Sequence, residues 1–394
     1  MSHALISRSA DLQRLRNEGY AVETLGGHLV VHDIPYVNAR REVARGKFVC
    51  PLNLQGDRTG PPPDHVMWWV GEHPCDRDGN IITAIQHSVH NARLSDEVVT
   101  SFSFSNKPQG GYPNYYDKVV TYMRVITSPA RSIDPDVTAQ TFPVVMDTEE
   151  RTVFKYIETN SSRAGITELT ERFEGLRIGI IGVGGTGSYI LDQIAKTPVA
   201  EIRLFDDDDF LQHNAFRSPG GASKEELEER PKKVDYQCAT YSKMHKGIQP
   251  YAMRITEDNL YLLDGLDHVF ICIDSNSAKA LILSHLIEQG VPFIDCGLGV
   301  NVAHGELIGQ VRVTVCTPSY HDHVADRIGK ADSDDDEYAT NIQIADLNML
   351  NAALAVIKLK QLCSFYQDQK QAHHVEYVVS TGQITREEVP APVL

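Results

Sequence analysis

RIGIIGVGGTGSYILDQIAKTPVAEIRLFDDDDFLQHNAFR, residues 177–217, decides the fold. An apolar run, Arg177–Ile181, leads into Gly182, Gly184, Gly185 and Gly187. A helical pattern follows, and a second apolar run ends at Asp206. Strand, glycine turn, helix and strand with a terminal acid place a nucleotide at a helix N-terminus. Glycines let the backbone approach phosphate, while the helix dipole and free N–H groups favour the anion. Asp206 stands where a ribose hydroxyl is expected.

Glycines and one acid would also serve a Rossmann dehydrogenase. This chain adds Asp208, Asn214 and Arg217 in HNAFR, Lys233 in PKKVD, and Asp274 at the end of HVFICID. Together these residues resemble the E1/ThiF/MoeB adenylyltransferases, which use ATP to activate the C-terminus of a ubiquitin-like protein. The family order is GxGGxG, DxD, NLxRQ, a lysine in PKV or PKA, and an aspartate at a strand end. The order here is Gly182/Gly184/Gly185/Gly187, Asp206/Asp208, Asn214/Arg217, Lys233 and Asp274. The resemblance covers roughly 160–394. HNAFR and NIQIADLNMLNAALAVIKLKQL are similar to bacterial ThiF-family E1-like proteins with an extra N-terminal domain.

The expected fold is α/β: a Rossmann-like adenylation domain over 151–394 with a mostly parallel sheet, preceded by a β-rich domain over 1–150. In 1–150, apolar or alternating runs (HLVVHDI, KFVCPL, HVMWWVGE, NIITAIQHSV, EVVTSFSFS, VVTYMRVI, FPVVM) lie between turn clusters such as GDRTGPPPDH and DRDGN. This reads as strands and loops, with short helices at 8–20 and 37–45. Trp68, Trp69 and the tyrosines of GGYPNYYDK either pack the core or form a peptide-binding face. In 151–394 the pattern predicts helices at 166–174, 223–245, 257–263 and 277–289, and strands at PYAMRI, HVFICID and PFIDCG. A strand pair in GELIGQVRVTVC, a long helix at 341–365 and a closing hairpin in VEYVVSTGQITREEV complete it.

Composition narrows the function. The chain has 394 residues, 42 % of them hydrophobic, and a net charge of −16. That balance speaks against a nucleic-acid partner. No apolar run reaches transmembrane length, and MSHALISRSADLQRL lacks the apolar core of a signal peptide. The seven cysteines form no C-x-x-C pair. A disulfide framework and a structural zinc are therefore not expected, and the expected location is cytoplasmic. Cys316, His321 and His323 lack a standard zinc spacing, and His87 and His90 read as ordinary histidines.

Adenylation needs no general base, because a carboxylate is already anionic. The enzyme has to hold two anions together and stabilise charge developing on pyrophosphate. The resemblance implies Arg217 and Lys233 on the triphosphate, Asp274 on Mg²⁺, and Asn214 orienting phosphate or the incoming carboxylate. Competing readings are an acidic loop at Asp206–Asp209, a surface charge at Arg217, Lys232 in place of Lys233, and a helix cap at Asp274, for which Ser275 and Ser277 compete. MoeB-like enzymes are homodimers in which an arginine preceding the glycine strand enters the partner's site. Arg163 occupies that region, with Arg172 as competitor.

The crossover loop of the E1-like fold corresponds to about 317–341, where conjugating E1 enzymes carry a catalytic cysteine. Residues 317–362 contain no cysteine. A covalent intermediate would require Ser333 or Thr340 in the loop, or Cys296 or Cys316 outside it. The simplest expectation is that the chain stops at the adenylate or passes the acyl group to another protein, such as an E2-like one. Four functions compete: activation of a ubiquitin-like protein in a bacterial conjugation pathway, sulfur-carrier activation, cyclic dehydration on tRNA or a peptide, and a non-catalytic nucleotide-fold scaffold.

Overall fold

The computed structural model describes residues 2–145, 152–328 and 342–388. It divides into two compact units: Met1–Val145 with Glu158–Gly165, and Met146–Ile157 with Ile166–Leu394. This differs from a single cut at 150/151, because 158–165 folds back into the first unit. There Arg16 donates to Ser162 Oγ at 2.9 Å, and Arg163 donates to the Asn17 carbonyl at 3.1 Å.

The first unit holds a six-stranded antiparallel sheet in the order 22–25, 28–37, 43–51, 66–70, 102–105, 86–89. Residues 37–45, expected as a helix, are the ends of two of these strands and the turn at 38–42 that joins them. VVTYMRVI, expected as a strand, lies inside the helix Tyr115–Ile133. Asn114 caps that helix by accepting the Asp117 N–H at 2.8 Å. Tyr115, Val119, Tyr122, Met123, Ile126 and Ala130 are buried at helical spacing. The short β-branched run hid that period. FPVVM forms no strand in its described part, 142–145. Trp69, Tyr112 and Tyr115 pack the core. Trp68 lies on the other face of the sheet and stacks on His90, with centroids 4.2 Å apart.

The second unit is built on one eight-stranded sheet: β1 (Arg177–Ile181), β2 (Glu201–Phe205), β3 (Ile248–Tyr251), β4 (His268–Ile271), β5 (Phe293–Ala303), β6 (Glu306–Cys316), β7 (Ala372–Val378) and β8 (Gln383–Glu388). Their spatial order is β3-β2-β1-β4-β5-β6-β7-β8. Strands β3 to β5 run parallel, and β6 to β8 are added antiparallel. The residues of β1, β2 and β4 are almost continuously apolar, as strands covered on both faces must be.

GELIGQVRVTVC forms one strand rather than a pair. Its partner is β5, which runs on to Ala303 and turns at His304 and Gly305, both with positive φ. A two-residue turn of that kind matches strand twist. The helix expected at 223–245 is two helices, Lys224–Glu228 and Lys233–Tyr241. Pro231 and the left-handed Arg230 (φ 45°) break it. Helices Gly185–Ile194, Asn276–Gln289 and Ala345–Leu362 complete the frame. The first and last of these share a buried cluster with β1 and β2.

Candidate active site

The sheet order reverses between β1 and β4, where neighbouring connections leave in opposite directions. Such a switch point opens a crevice at the carboxyl ends of the strands. A cavity of about 840 Å³ lies there, lined by Gly182, Gly184, Gly185, Asp206, Asp208, Arg217, Lys233 and Asp274 among others. Eight of the residues singled out in the sequence thus share one wall.

The four glycines have different duties. Gly182 has φ +85°, and a Cβ there would stand 2.5 Å from the Cys272 carbonyl oxygen. A Cβ on Gly187 would meet the Gly182 carbonyl oxygen at 1.8 Å, and one on Gly185 would meet the Asn348 amide at 2.2 Å. These three let helix 185–194 approach β1, β4 and helix 345–362. Gly184 is the exception: a Cβ there meets nothing within 4 Å. Its open side belongs to the cavity. No side chain caps helix 185–194, so its first N–H groups are available to an anion.

The acidic loop is ordered by its own hydrogen bonds. Asp206 accepts the Val183 N–H at 2.9 Å and the Asp208 N–H at 3.0 Å, tying the end of β2 to the glycine turn. Lys233 is buried, with its Nζ 2.6 Å from Asp208 and 3.6 Å from Asp206. That ammonium, first through its hydrogen bond, holds the Asp208 carboxyl below the usual carboxylate range. Lys232 points elsewhere, to Asp209 at 2.7 Å, and does not line the cavity. Asp206, Asp207 and Asp208 bring their carboxylate oxygens within 4.8 Å of one another.

Arg217 lines the cavity, and its buried Nε has no partner. Asn214 lies behind the wall: its Oδ1 accepts the Leu211 N–H at 2.9 Å, and its buried Nδ2 is unpartnered. It therefore shapes the turn that presents Arg217. Asp274 is exposed on the cavity wall and Ser275 caps the next helix, so Asp274 is free of capping duty. Arg163 and Arg172 do not line this cavity. Arg163 belongs to the first unit, and Arg172 donates to the Ser364 carbonyl.

Cys296 is buried beside the cavity. A hydrogen bond donated to Cys272, then burial, raises its thiol well above the ordinary value. Burial pushes the Cys316 thiol up to about 12. Both are therefore protonated, poor nucleophiles at neutral pH. Ser333, Thr340 and most of the loop 317–341 lie outside the described residues.

Two residues escaped the sequence reading. Arg254 clamps Asp207 with its Nε 2.9 and 2.8 Å from the two carboxylate oxygens. PYAMRI had read as continuous strand, but β3 ends at Tyr251 and releases Arg254 to the cavity wall. Asn348 is fully buried in helix 345–362 and accepts the Thr186 hydroxyl at 3.0 Å. Its signal was a pair of asparagines, Asn348 and Asn351, three residues apart in the mostly apolar first half of the helix.

Comparison with known proteins divides the chain at nearly the same place. Residues 160–389 match the model of the ThiF family, and residues 10–159 match a domain of unknown function, DUF6791. Ubiquitin-like modifier-activating enzyme 5 of Branchiostoma floridae is 26 % identical over 171 residues, covering 40 % of this chain and 42 % of that protein. tRNA threonylcarbamoyladenosine dehydratase of Escherichia coli is 27 % identical over 134 residues, covering 32 % of this chain and 47 % of that protein. The chain thus spans less than half the length of these curated relatives. The crystal structure of E. coli MccB with ATP aligns with a TM-score of 0.47 at 15 % identity, covering 59 % of this chain and 72 % of that one.

Proposed function

The chain belongs to the ThiF family through residues 160–389, and from that premise we propose that it is an adenylyltransferase that uses ATP to activate the C-terminal carboxylate of a ubiquitin-like protein. The observation that carries this reading is the single cavity joining the glycine turn to Arg217, Lys233 and Asp274. A hydride-transfer site would need the first of these and none of the rest.

In the reaction a carboxylate oxygen attacks the α-phosphorus of ATP. The bond from that phosphorus to its bridging oxygen breaks, and pyrophosphate leaves with the electron pair. The N–H groups of helix 185–194 face the phosphates, and Gly184 leaves them room. Arg217 offers an unpaired Nε, a donor for the triphosphate. Lys233 exchanges part of its contact with Asp208 for a phosphate oxygen. Asp206 presents its remaining lone pairs to the ribose. Arg254 keeps Asp207 oriented.

Magnesium fits this wall. Asp206, Asp207, Asp208, Glu257 and Asp274 outnumber Arg217, Lys233 and Arg254 around the cavity. A triphosphate entering alone would meet net negative charge, whereas a triphosphate carrying a divalent cation would not. Asp274, with the Asp206–Asp208 group, would hold the ion, which supplies charge neutralisation on the phosphates.

The ubiquitin-like substrate, an E2-like recipient and a homodimer are parts of the same proposal. Relatives whose names denote ubiquitin-like modifier activation support the first. The dehydratase relatives raise a tRNA-linked carboxylate as substrate. The net charge of −16 disfavours it. Sulfur-carrier activation uses the same chemistry and differs only in the protein whose carboxylate enters. Isothermal titration tests the nucleotide assignment. ATP with Mg²⁺ is expected to bind and NAD is not; NAD binding tighter than ATP would refute it.

A further inference from the structure

The helix Tyr115–Ile133 in the first unit has two working faces. One carries Tyr115, Val119, Tyr122, Ile126 and Ala130 into the core. The other carries Tyr116, Val120, Met123, Arg124, Thr127 and Arg131 along a separate cavity of about 460 Å³, closed on its far side by Tyr20, Thr138 and Gln140. Tyr20 and Gln140 pair across that far side, fixing its edge.

Three donors on this face are unused. Thr127 is 3 % exposed, and its hydroxyl has no partner. A buried hydroxyl without a partner is costly and points to something that completes it. Arg124 and Arg131, at the exposed rim, form no ion pair or side-chain hydrogen bond among the described residues. The nearby acid, Glu18, is taken: Arg14 donates to it at 3.0 Å and the Tyr116 hydroxyl at 2.9 Å. Arg14 is itself stacked 3.7 Å over the Tyr116 ring. Burial and Glu18 raise the Tyr20 phenol, whereas Arg131 and Arg124 act in the opposite sense. Both arginines and Tyr20 line the same groove.

Two unpaired arginines stand out on a chain of net charge −16. Planar guanidinium groups suit carboxylates. Two of them do not make the long basic track that a nucleic-acid backbone needs. Arg124 and Arg131 are seven residues apart on one helix, about 10.5 Å along its axis. Three residues of a polyproline II chain make one turn, cover about 9.3 Å and bring the side chain back to the same face. The Thr127 hydroxyl lies between them at the floor. We propose that this groove docks an acidic peptide in the polyproline II conformation whose carboxylates stand three residues apart, with Arg124 and Arg131 each taking one and Thr127 donating between them. The proposal is independent of the nucleotide cavity and of the reaction assigned to it.

Fluorescence anisotropy with the full chain and fluorescein-labelled hexaglutamate tests this. Hexaglutamate, which offers the spacing in every register, is expected to bind, and hexaglutamine is not. Arg124→Ala/Arg131→Ala should weaken hexaglutamate binding roughly tenfold or more, the scale of losing charge-assisted contacts. Thr127→Val should weaken it several-fold without lowering the melting temperature, because the hydroxyl contributes no bond to the free fold. If the double variant does not fold, the exposed Arg124→Gln variant is read in its place. Equal binding of hexaglutamate and hexaglutamine, unchanged binding by a folded arginine variant, or displacement by a 20-nucleotide RNA at lower concentration than by unlabelled hexaglutamate would each overturn the proposal.

Discussion

Replacing Lys233 with alanine separates the two things this residue does. Its side chain is 9 % exposed and ties Asp206, also 9 % exposed, to Asp208, which is 58 % exposed. Breaking a fully buried pair costs about 3–5 kcal/mol and breaking an exposed one about 0–1. The pair here is intermediate, and Asp206 keeps both of its backbone donors. A stability loss of about 1–2 kcal/mol follows, lowering the melting temperature by a few degrees for a unit of this size. Catalysis should suffer more. Removing one preorganised group facing developing charge costs about 2.7–4 kcal/mol, or 10²–10³ in rate. ATP–pyrophosphate exchange should therefore fall a hundredfold or more in a protein that is still folded. Lys232→Ala is the control. Its exposed pairing with Asp209 predicts a change within about 1 kcal/mol. Folded Lys233→Ala with exchange near wild type, or an equal loss in Lys232→Ala, would refute the reasoning. A pH signature accompanies it. Because Lys233 depresses the folded Asp208 value, this stabilisation is present above the unfolded value near pH 4 and is lost as pH falls through the folded one. The stability gap between wild type and Lys233→Ala should therefore shrink below about pH 4.

Asp274→Ala should leave the circular dichroism spectrum unchanged and cost about 2–4 kcal/mol in carboxylate-dependent exchange; near wild-type exchange would remove Asp274 from the site. Gly184→Ala should fold normally and raise the KM for ATP, because its open side faces the cavity, whereas Gly182→Ala should lose stability on the order of 1–3 kcal/mol from its φ of +85°; the reverse ranking in thermal melts would contradict the geometry. For the proposed homodimer, mixing Arg163→Ala and Lys233→Ala chains should restore part of the exchange activity, and no recovery after demonstrated subunit exchange would exclude a role for Arg163 across the interface. With Cys296 and Cys316 held protonated, any covalent adduct with the activated partner should resist dithiothreitol in mass spectrometry; a reductant-sensitive adduct lost on Cys296→Ala or Cys316→Ala would contradict this.

The nucleotide half was legible because its constraints are local. A glycine turn, a strand-end acid and a lysine opening a helix are each set by backbone geometry within a few residues, and sequence keeps that information. The Lys-Val-Asp context favours Lys233, and it is Lys233 rather than Lys232 that lines the cavity. Features set by tertiary packing were harder to see. Helix Tyr115–Ile133 hid because Val119, Val120 and Val125 favour strands locally, while its burial pattern appears only over the full nineteen residues. Arg254 hid because nothing local marks where β3 stops. The resemblance gives Asn214 the task of orienting phosphate or the incoming carboxylate; what the fold adds is that its Oδ1 accepts the Leu211 N–H and closes the turn before Arg217. The motif kept the residue, and only the fold revealed its neighbour.

The most direct test of the central claim is ATP–pyrophosphate exchange with one ubiquitin-like protein in two forms, its C-terminus free or converted to the amide. Genes adjacent to the one encoding this chain supply the candidates. Exchange that requires Mg²⁺ and the free carboxylate, and vanishes with the amide, is the predicted result. Exchange unaffected by amidation, or absent with every ubiquitin-like candidate but supported by another carboxylate, would contradict it.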